Sequence, residues 1–205
     1  MVNVKNEKVN SICVFASSCN KIDDIYFREA YKLGVEMAKC GYDVVYGGST
    51  LGLMGEVTSA AKMHGSEVIG VMPERLYNLG ISSGDCTKFI LTKGMRERKA
   101  KMDELSQALI AIAGGFGTLE ELSEMLVQKQ LGYNDKPIVI LNTNGFYDDL
   151  IKFFNKIVEN RFAPKVSQKM YYIAKSPFDA INYINNYEFS NINYLADKIA
   201  TKNKS

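Results

Sequence analysis

Residues 108–121 read Ala-Leu-Ile-Ala-Ile-Ala-Gly-Gly-Phe-Gly-Thr-Leu-Glu-Glu. An unbroken apolar run, 108–112, passes through a glycine-rich turn into an amphipathic stretch that extends to Gln130. A strand that is apolar at every position is covered on both faces, as in a parallel sheet rather than an antiparallel sheet with one wet side. The same pattern repeats along the chain. Strands are expected at 12–16, 44–46, 68–72, 88–91, 108–112, 138–141 and 171–174, and helices at 25–40, 53–64, 95–107, 119–130, 147–159 and 178–186. Gly41 and Gly65 fall just past two of these helices, where a left-handed terminating residue is wanted. Alternating strands and helices joined by right-handed crossovers predict an α/β protein: a doubly wound, mostly parallel sheet with helices on both faces.

The chain has 205 residues, enough for one substantial domain. No Pro/Gly/Ser-rich linker or internal repeat divides it. A polar, flexible N-terminal tail is expected over 1–10, a single domain over 11–190, and a polar tail over 191–205. Lys+Arg of 25 against Asp+Glu of 23 leaves a net charge of +2. With no basic excess or stripe, nucleic acid is not an expected partner. The start is polar and mixed in charge, unlike a signal peptide, and no run approaches the ~20 apolar residues of a membrane helix. Cys13, Cys19, Cys40 and Cys86 form no C-x-x-C pair, and His64 is the sole histidine. The expectation is a reduced, cytoplasmic, metal-free protein.

In a doubly wound sheet, ligands bind beyond the C-terminal ends of the strands, so function is sought in the loops that follow them. Three of these loops stand out: 16–20 (Ala-Ser-Ser-Cys-Asn), 47–55 (Gly-Gly-Ser-Thr-Leu-Gly-Leu-Met-Gly) and 114–121. Glycine lets the backbone approach a ligand closely, and the helix that follows offers free N–H groups with a partial positive charge. Two long glycine-rich loops on one sheet edge favour a phosphate-bearing ligand over simple tight turns. The ligand is neither a nucleoside triphosphate held by a P-loop nor a dinucleotide. No G-K-[ST] run occurs, and the loop after the first strand lacks glycine altogether.

Two charged residues stand beside these loops. Thr118 and Glu121 have the spacing of a capping box, so Glu121 reads equally as a structural cap and as a carboxylate facing the ligand. In the stretch 95–107 the apolar stripe is Met95, Met102 and Leu105, and Arg98 falls on or beside that buried face with Lys99 flanking it. A buried arginine requires an anionic partner, either a protein carboxylate or a ligand.

Taken together, Gly47-Gly48-x-x-x-Gly52-Leu53-Met54-Gly55, Met95-x-x-Arg98-Lys99 and Gly114-Gly115-x-Gly117-Thr118-x-x-Glu121 resemble the Lonely Guy family, cytokinin riboside 5′-monophosphate phosphoribohydrolases often labelled lysine decarboxylases. The resemblance extends from the first strand to about residue 160 and includes Gln130-Leu131-Gly132 and Lys136-Pro137. It implies a Rossmann-like fold, a homodimer, and cleavage of the N-glycosidic bond of adenosine monophosphate or its N6-modified forms to the base and ribose 5-phosphate, with no metal or cofactor. By family pattern Arg98 and Glu121 match the catalytic pair. Lys99, Gly114, Gly115, Phe116, Gly117, Thr118 and Glu120 match substrate-binding positions, with Gly48 and Ser18 from the other two loops.

The chain departs from the family pattern at several positions. Ala113 stands where the family has proline, Ser17-Ser18-Cys19 where it has Gly-Ser-Ser, Gly80 where it has a substrate-contacting glutamate, and Val127-Gln128 where it has Thr-Trp. These changes fall on the wall around base and sugar. Molybdenum-cofactor carriers of the same superfamily provide the alternative, a protein that binds a phosphorylated ligand without cleaving it. Lysine decarboxylation would need pyridoxal phosphate on a Schiff-base lysine, and no lysine occupies an identifiable site of that kind.

Overall fold

The computed structural model describes residues 9–81 and 86–188. Seven strands, β1 (Ser11–Phe15), β2 (Asp43–Tyr46), β3 (Val68–Pro73), β4 (Lys88–Thr92), β5 (Ala108–Ala111), β6 (Ile138–Leu141) and β7 (Tyr172–Ala174), form one sheet in the order β4-β3-β2-β1-β5-β6-β7. Every strand pair is parallel. The order reverses between β1 and β5, where Cys13 lies beside Leu109 and Phe15 beside Ala111. This is the topological switch point, and the loops after β1 and β5 flank it.

Alternation along each strand divides the core in two. Ile12 and Val14 of β1, Val44 and Tyr46 of β2, and Ile110 of β5 pack in one layer with helices α1 (Asp24–Lys39), α2 (Gly52–Met63) and α7 (Pro177–Asn185). Cys13, Phe15, Val45, Leu109 and Ala111 face the other layer, which contains α4 (Met95–Glu104), α5 (Phe116–Gln130) and α6 (Asp148–Glu159). The result is the Rossmann-like arrangement expected from the apolar runs. A four-residue helix α3 (Glu74–Tyr77) after β3, which the sequence pattern does not signal, completes the set.

Two local expectations are corrected. The helix expected over 95–107 ends at Glu104, where the Ser106 hydroxyl donates to the Met102 carbonyl at 2.9 Å and closes the last turn. Met95 does not join the buried stripe and is 48% exposed; only Arg98 and Met102 of α4 are buried. Asn10, within the tail expected over 1–10, is bonded to the sheet. The Asn10 carbonyl accepts from the Asp43 N–H at 2.9 Å, and its own N–H donates to Gln107 Oε1 at 3.2 Å, extending the β1–β2 pairing by one residue. Residues 1–8 and the tail expected at 191–205 lie outside the described residues.

Candidate active site

Strand β5 ends in Ile112-Ala113, and the chain turns through Gly114 and Gly115 into α5. Helical geometry begins three residues before the expected start. Gly115, with extended backbone at φ −90° and ψ −157°, is the N-cap, and the first helical bond runs from the Leu119 N–H to the Gly115 carbonyl at 3.0 Å. The N–H groups of Phe116, Gly117 and Thr118 therefore have no acceptor within the helix. Those of Phe116 and Gly117 belong to exposed residues at the positive end of a four-turn helix, a suitable environment for an anion.

This start overturns the capping-box reading. Thr118 is the third helical residue rather than the cap. Its side chain is buried beneath the turn, where a Cβ on Gly114 would stand only 2.6 Å from the Thr118 Cβ. Glu121 is thereby moved a full turn into the helix, and its carboxylate points at Arg98 instead of back at a cap.

Arg98 comes from the first turn of α4, across the end of β3. Its Nε donates to the Val71 carbonyl at 3.1 Å and its Nη1 to Glu121 Oε1 at 2.8 Å. Each residue is 8% exposed. The buried arginine expected from the sequence therefore has a protein carboxylate as partner. Burial pushes the Glu121 carboxyl above its ordinary value; the Arg98 charge opposes this without reversing it, and Glu120 adds to the rise. Arg98 thus lowers the carboxyl, as charge proximity dictates, but desolvation dominates. Cys13 on β1 lies in the same low-dielectric region, with its thiol pushed up by burial and then by the Glu121 charge.

The other expected site residues divide into three groups. Gly115, Phe116 and Gly117 form the open face of the α5 start; no atom lies within 4 Å of a Cβ built on either glycine, and Phe116 is 91% exposed. Lys99 and Glu120 are engaged with one another: the Lys99 ammonium pairs with Glu120 and Glu124 one turn apart on α5, which raises its pKa, chiefly through the Glu120 hydrogen bond. Ser18 is exposed in the loop after β1, which is held to the site by two backbone bonds: the Ser17 N–H to the Ala113 carbonyl at 3.1 Å, and the Leu53 N–H to the Ser17 carbonyl at 2.9 Å. Gly48 is buried against Met72 and Phe89 at φ +78°, a conformation that favours glycine. Its neighbour Gly47, part of the same glycine motif but not among the expected substrate-binding positions, lies directly against the Arg98 guanidinium. Gly80 is an exposed turn residue after α3 at φ +76°.

The lysines on these helices do not fit a Schiff-base site. Lys99 is committed to its two glutamates. Lys129 is buried at the far end of α5, where it donates to the Lys136 carbonyl at 2.8 Å and to the Tyr187 hydroxyl at 2.7 Å.

Known proteins resemble the chain at both levels. A family model described as possible lysine decarboxylase matches residues 54–184. The probable cytokinin riboside 5′-monophosphate phosphoribohydrolase LOGL2 of Oryza sativa subsp. japonica is 38% identical over 184 residues, 90% of this chain and 75% of that protein. The cytokinin riboside 5′-monophosphate phosphoribohydrolase LOG1 of Arabidopsis thaliana is 37% identical over 182 residues, covering 88% and 84%. Among solved structures, the molybdenum cofactor binding protein of Rippkaea orientalis superposes with a TM-score of 0.66 at 25% identity, covering 86% of this chain and 96% of that one. The glycine turn, Arg98 and Glu121 that carry the sequence resemblance meet at one sheet edge. The chain belongs to the Lonely Guy family, whose family model is described as possible lysine decarboxylase.

Proposed function

We propose that the chain hydrolyses the N-glycosidic bond of adenosine 5′-monophosphate or its N6-modified forms, consuming water and releasing the free base and ribose 5-phosphate. The observation that carries this reading is the buried Arg98–Glu121 pair beside the open N-terminus of α5. The phosphoribohydrolase names of relatives at 35–38% identity support the same reaction.

In this reading the 5′-phosphate sits on the free N–H groups of 116–118, which carry positive potential without a mobile side chain. Cleavage of the C1′–N bond builds positive charge on the sugar, as in glycoside hydrolysis. Glu121 lies within a turn of the phosphate donors. A carboxylate held partly desolvated interacts more strongly with the developing oxocarbenium ion than a solvated one, and it can take a proton from the attacking water. Arg98 orients Glu121 through the 2.8 Å bond and is itself fixed by the Val71 carbonyl. Phe116 and Ser18 are both exposed, the first at the start of α5 and the second in the loop after β1, and the Lys99–Glu120 pair links α4 to α5.

A homodimer is part of the proposal. Val127 on α5 and Leu131 at its C-cap, four residues apart, are about half exposed and offer apolar surface that a second copy would cover. Light scattering should give twice the 22.9 kDa chain mass.

The test is to incubate purified protein with adenosine monophosphate and to quantify adenine and ribose 5-phosphate. Equimolar release supports the hydrolase. Tight nucleotide binding with no released base would favour the carrier alternative, for which the superposition at 25% identity is the supporting observation.

A further inference from the structure

We infer that Gly47 is a positioning residue for the Arg98–Glu121 pair: its missing side chain is the space in which the Arg98 guanidinium lies. A Cβ built on Gly47 would stand well inside van der Waals contact of Arg98 Nη2, 3.2 Å from Arg98 Cζ and 3.2 Å from Met54 Sδ. The guanidinium is the group that would have to move, and its freedom to do so is small. It is buried, its Nε is tied to the Val71 carbonyl and its Nη1 to Glu121. Any rotation that clears a methyl group at 47 lengthens at least one of those bonds.

The reason for glycine at 47 differs from the reason at its neighbours. Gly48 and Gly52 have φ of +78° and +60°, where a side chain strains the backbone whatever the surroundings. Gly47 is not among the positive-φ residues, so its backbone accepts alanine without strain. Position 47 is also set by β2 and position 98 by α4, so the contact joins two elements on which the register of the pair depends. The three atoms nearest a Cβ at position 47 belong to Arg98 and Met54, and none of them to α5. Gly47 acts through Arg98.

The test is a double-mutant cycle of Gly47→Ala with Arg98→Met, which keeps the apolar stem and removes the guanidinium. Two readouts are used. The first is the midpoint of the Glu121 carboxyl by carbon NMR titration, which requires no turnover. The second is kcat/KM for base release, which rests on the hydrolase reading. Gly47→Ala in the wild-type background should raise the Glu121 midpoint as its cationic partner withdraws. It should lower kcat/KM on the order of 100-fold, the cost of an ångström-scale displacement. In the Arg98→Met background the same substitution should change neither readout.

Equal effects in both backgrounds would overturn the inference, as would a Gly47→Ala protein whose Glu121 midpoint and rate match the wild type. If Gly47→Ala fails to fold, folding restored by Arg98→Met supports the inference, and a double variant less stable than Arg98→Met alone refutes it. Wild-type protein that releases no base would refute the hydrolase reading while the titration still decides the role of Gly47.

Discussion

Arg98 Nη1 stands 2.8 Å from Glu121 Oε1, and this bond joins α4 to α5 across the C-terminal end of the sheet. The two groups come from helices separated by β5 and a glycine turn, and both are buried, so neither is fully meaningful without the other. Removing one partner of such a pair leaves an uncompensated buried charge. The carboxyl still sits above its ordinary value because desolvation outweighs the guanidinium.

The first prediction concerns pH. If ionised Glu121 is required, kcat/KM falls on acidification through a midpoint above the ordinary glutamate value of about 4.3. Arg98→Met moves that limb further up, because the attraction that opposed desolvation is gone. The same substitution costs about 3–5 kcal/mol of stability by urea unfolding at neutral pH. A raised carboxyl pKa gives the folded state stability that is present below the unfolded value and lost as pH rises through the folded one. Glu121→Gln lacks that loss, so its stability relative to wild type improves as pH rises across this window.

Glycine substitutions separate the two sides of the turn. Gly114→Ala drives a methyl group into Thr118, 2.6 Å from its Cβ, and should lose about 1–3 kcal/mol through overpacking. Gly117→Ala adds its methyl group to open space in the first turn of α5 and should gain up to about 1 kcal/mol. Thermal unfolding of both variants checks the pair; equal effects would contradict the geometry.

Lys129 supplies an alkaline signature. Burial pushes its pKa down to about 8, and nearby Asp135 opposes this only in part. An unfolded lysine titrates near 10.4, so between these values the unfolded chain binds more protons and stability rises with pH, by about 3 kcal/mol over the window. Below pH 8 the contribution is flat. Urea unfolding at pH 7 and pH 10.5 should show this rise in the wild type relative to Lys129→Met; parallel behaviour of the two proteins would refute it.

Between α1 and α2 a control substitution leaves the site untouched. A Cβ on Gly34 would lie 2.8 Å from the Ala60 Cβ and 2.9 Å from the Ala61 N. Gly34→Ala should therefore destabilise by about 1–3 kcal/mol, although alanine is the better helix former. The Glu121 titration should be unchanged.

Much of this fold is legible in the sequence because parallel strands are apolar on both faces, and runs such as Ile138–Leu141 have no other plausible use. The burial of Arg98 follows from its place three residues after Met95 and four before Met102, even though Met95 itself is exposed. Local pattern fails where tertiary packing decides. Gly115-Phe116-Gly117 has the composition of a turn, yet Phe116 and Gly117 are helical, with Thr118 packed beneath the first turn. The capping-box spacing of Thr118 and Glu121 was therefore misleading, because a pattern of residues carries no information about which of them is the cap. Gly47 is marked in the sequence as part of a glycine motif, but its contact with Arg98 is not. That contact depends on α4 folding back over the end of β2, across 51 positions of chain.

The measurement that tests the central claim most directly compares wild type with Glu121→Gln for base release from adenosine monophosphate and for binding of the same nucleotide. The substitution keeps the size of the side chain and an oxygen that can accept from Arg98, and it removes the charge. The account predicts release of adenine by the wild type, none by the variant, and similar nucleotide affinity for both. Release by Glu121→Gln at the wild-type rate would contradict it, leaving the carboxylate as the structural partner of Arg98 alone.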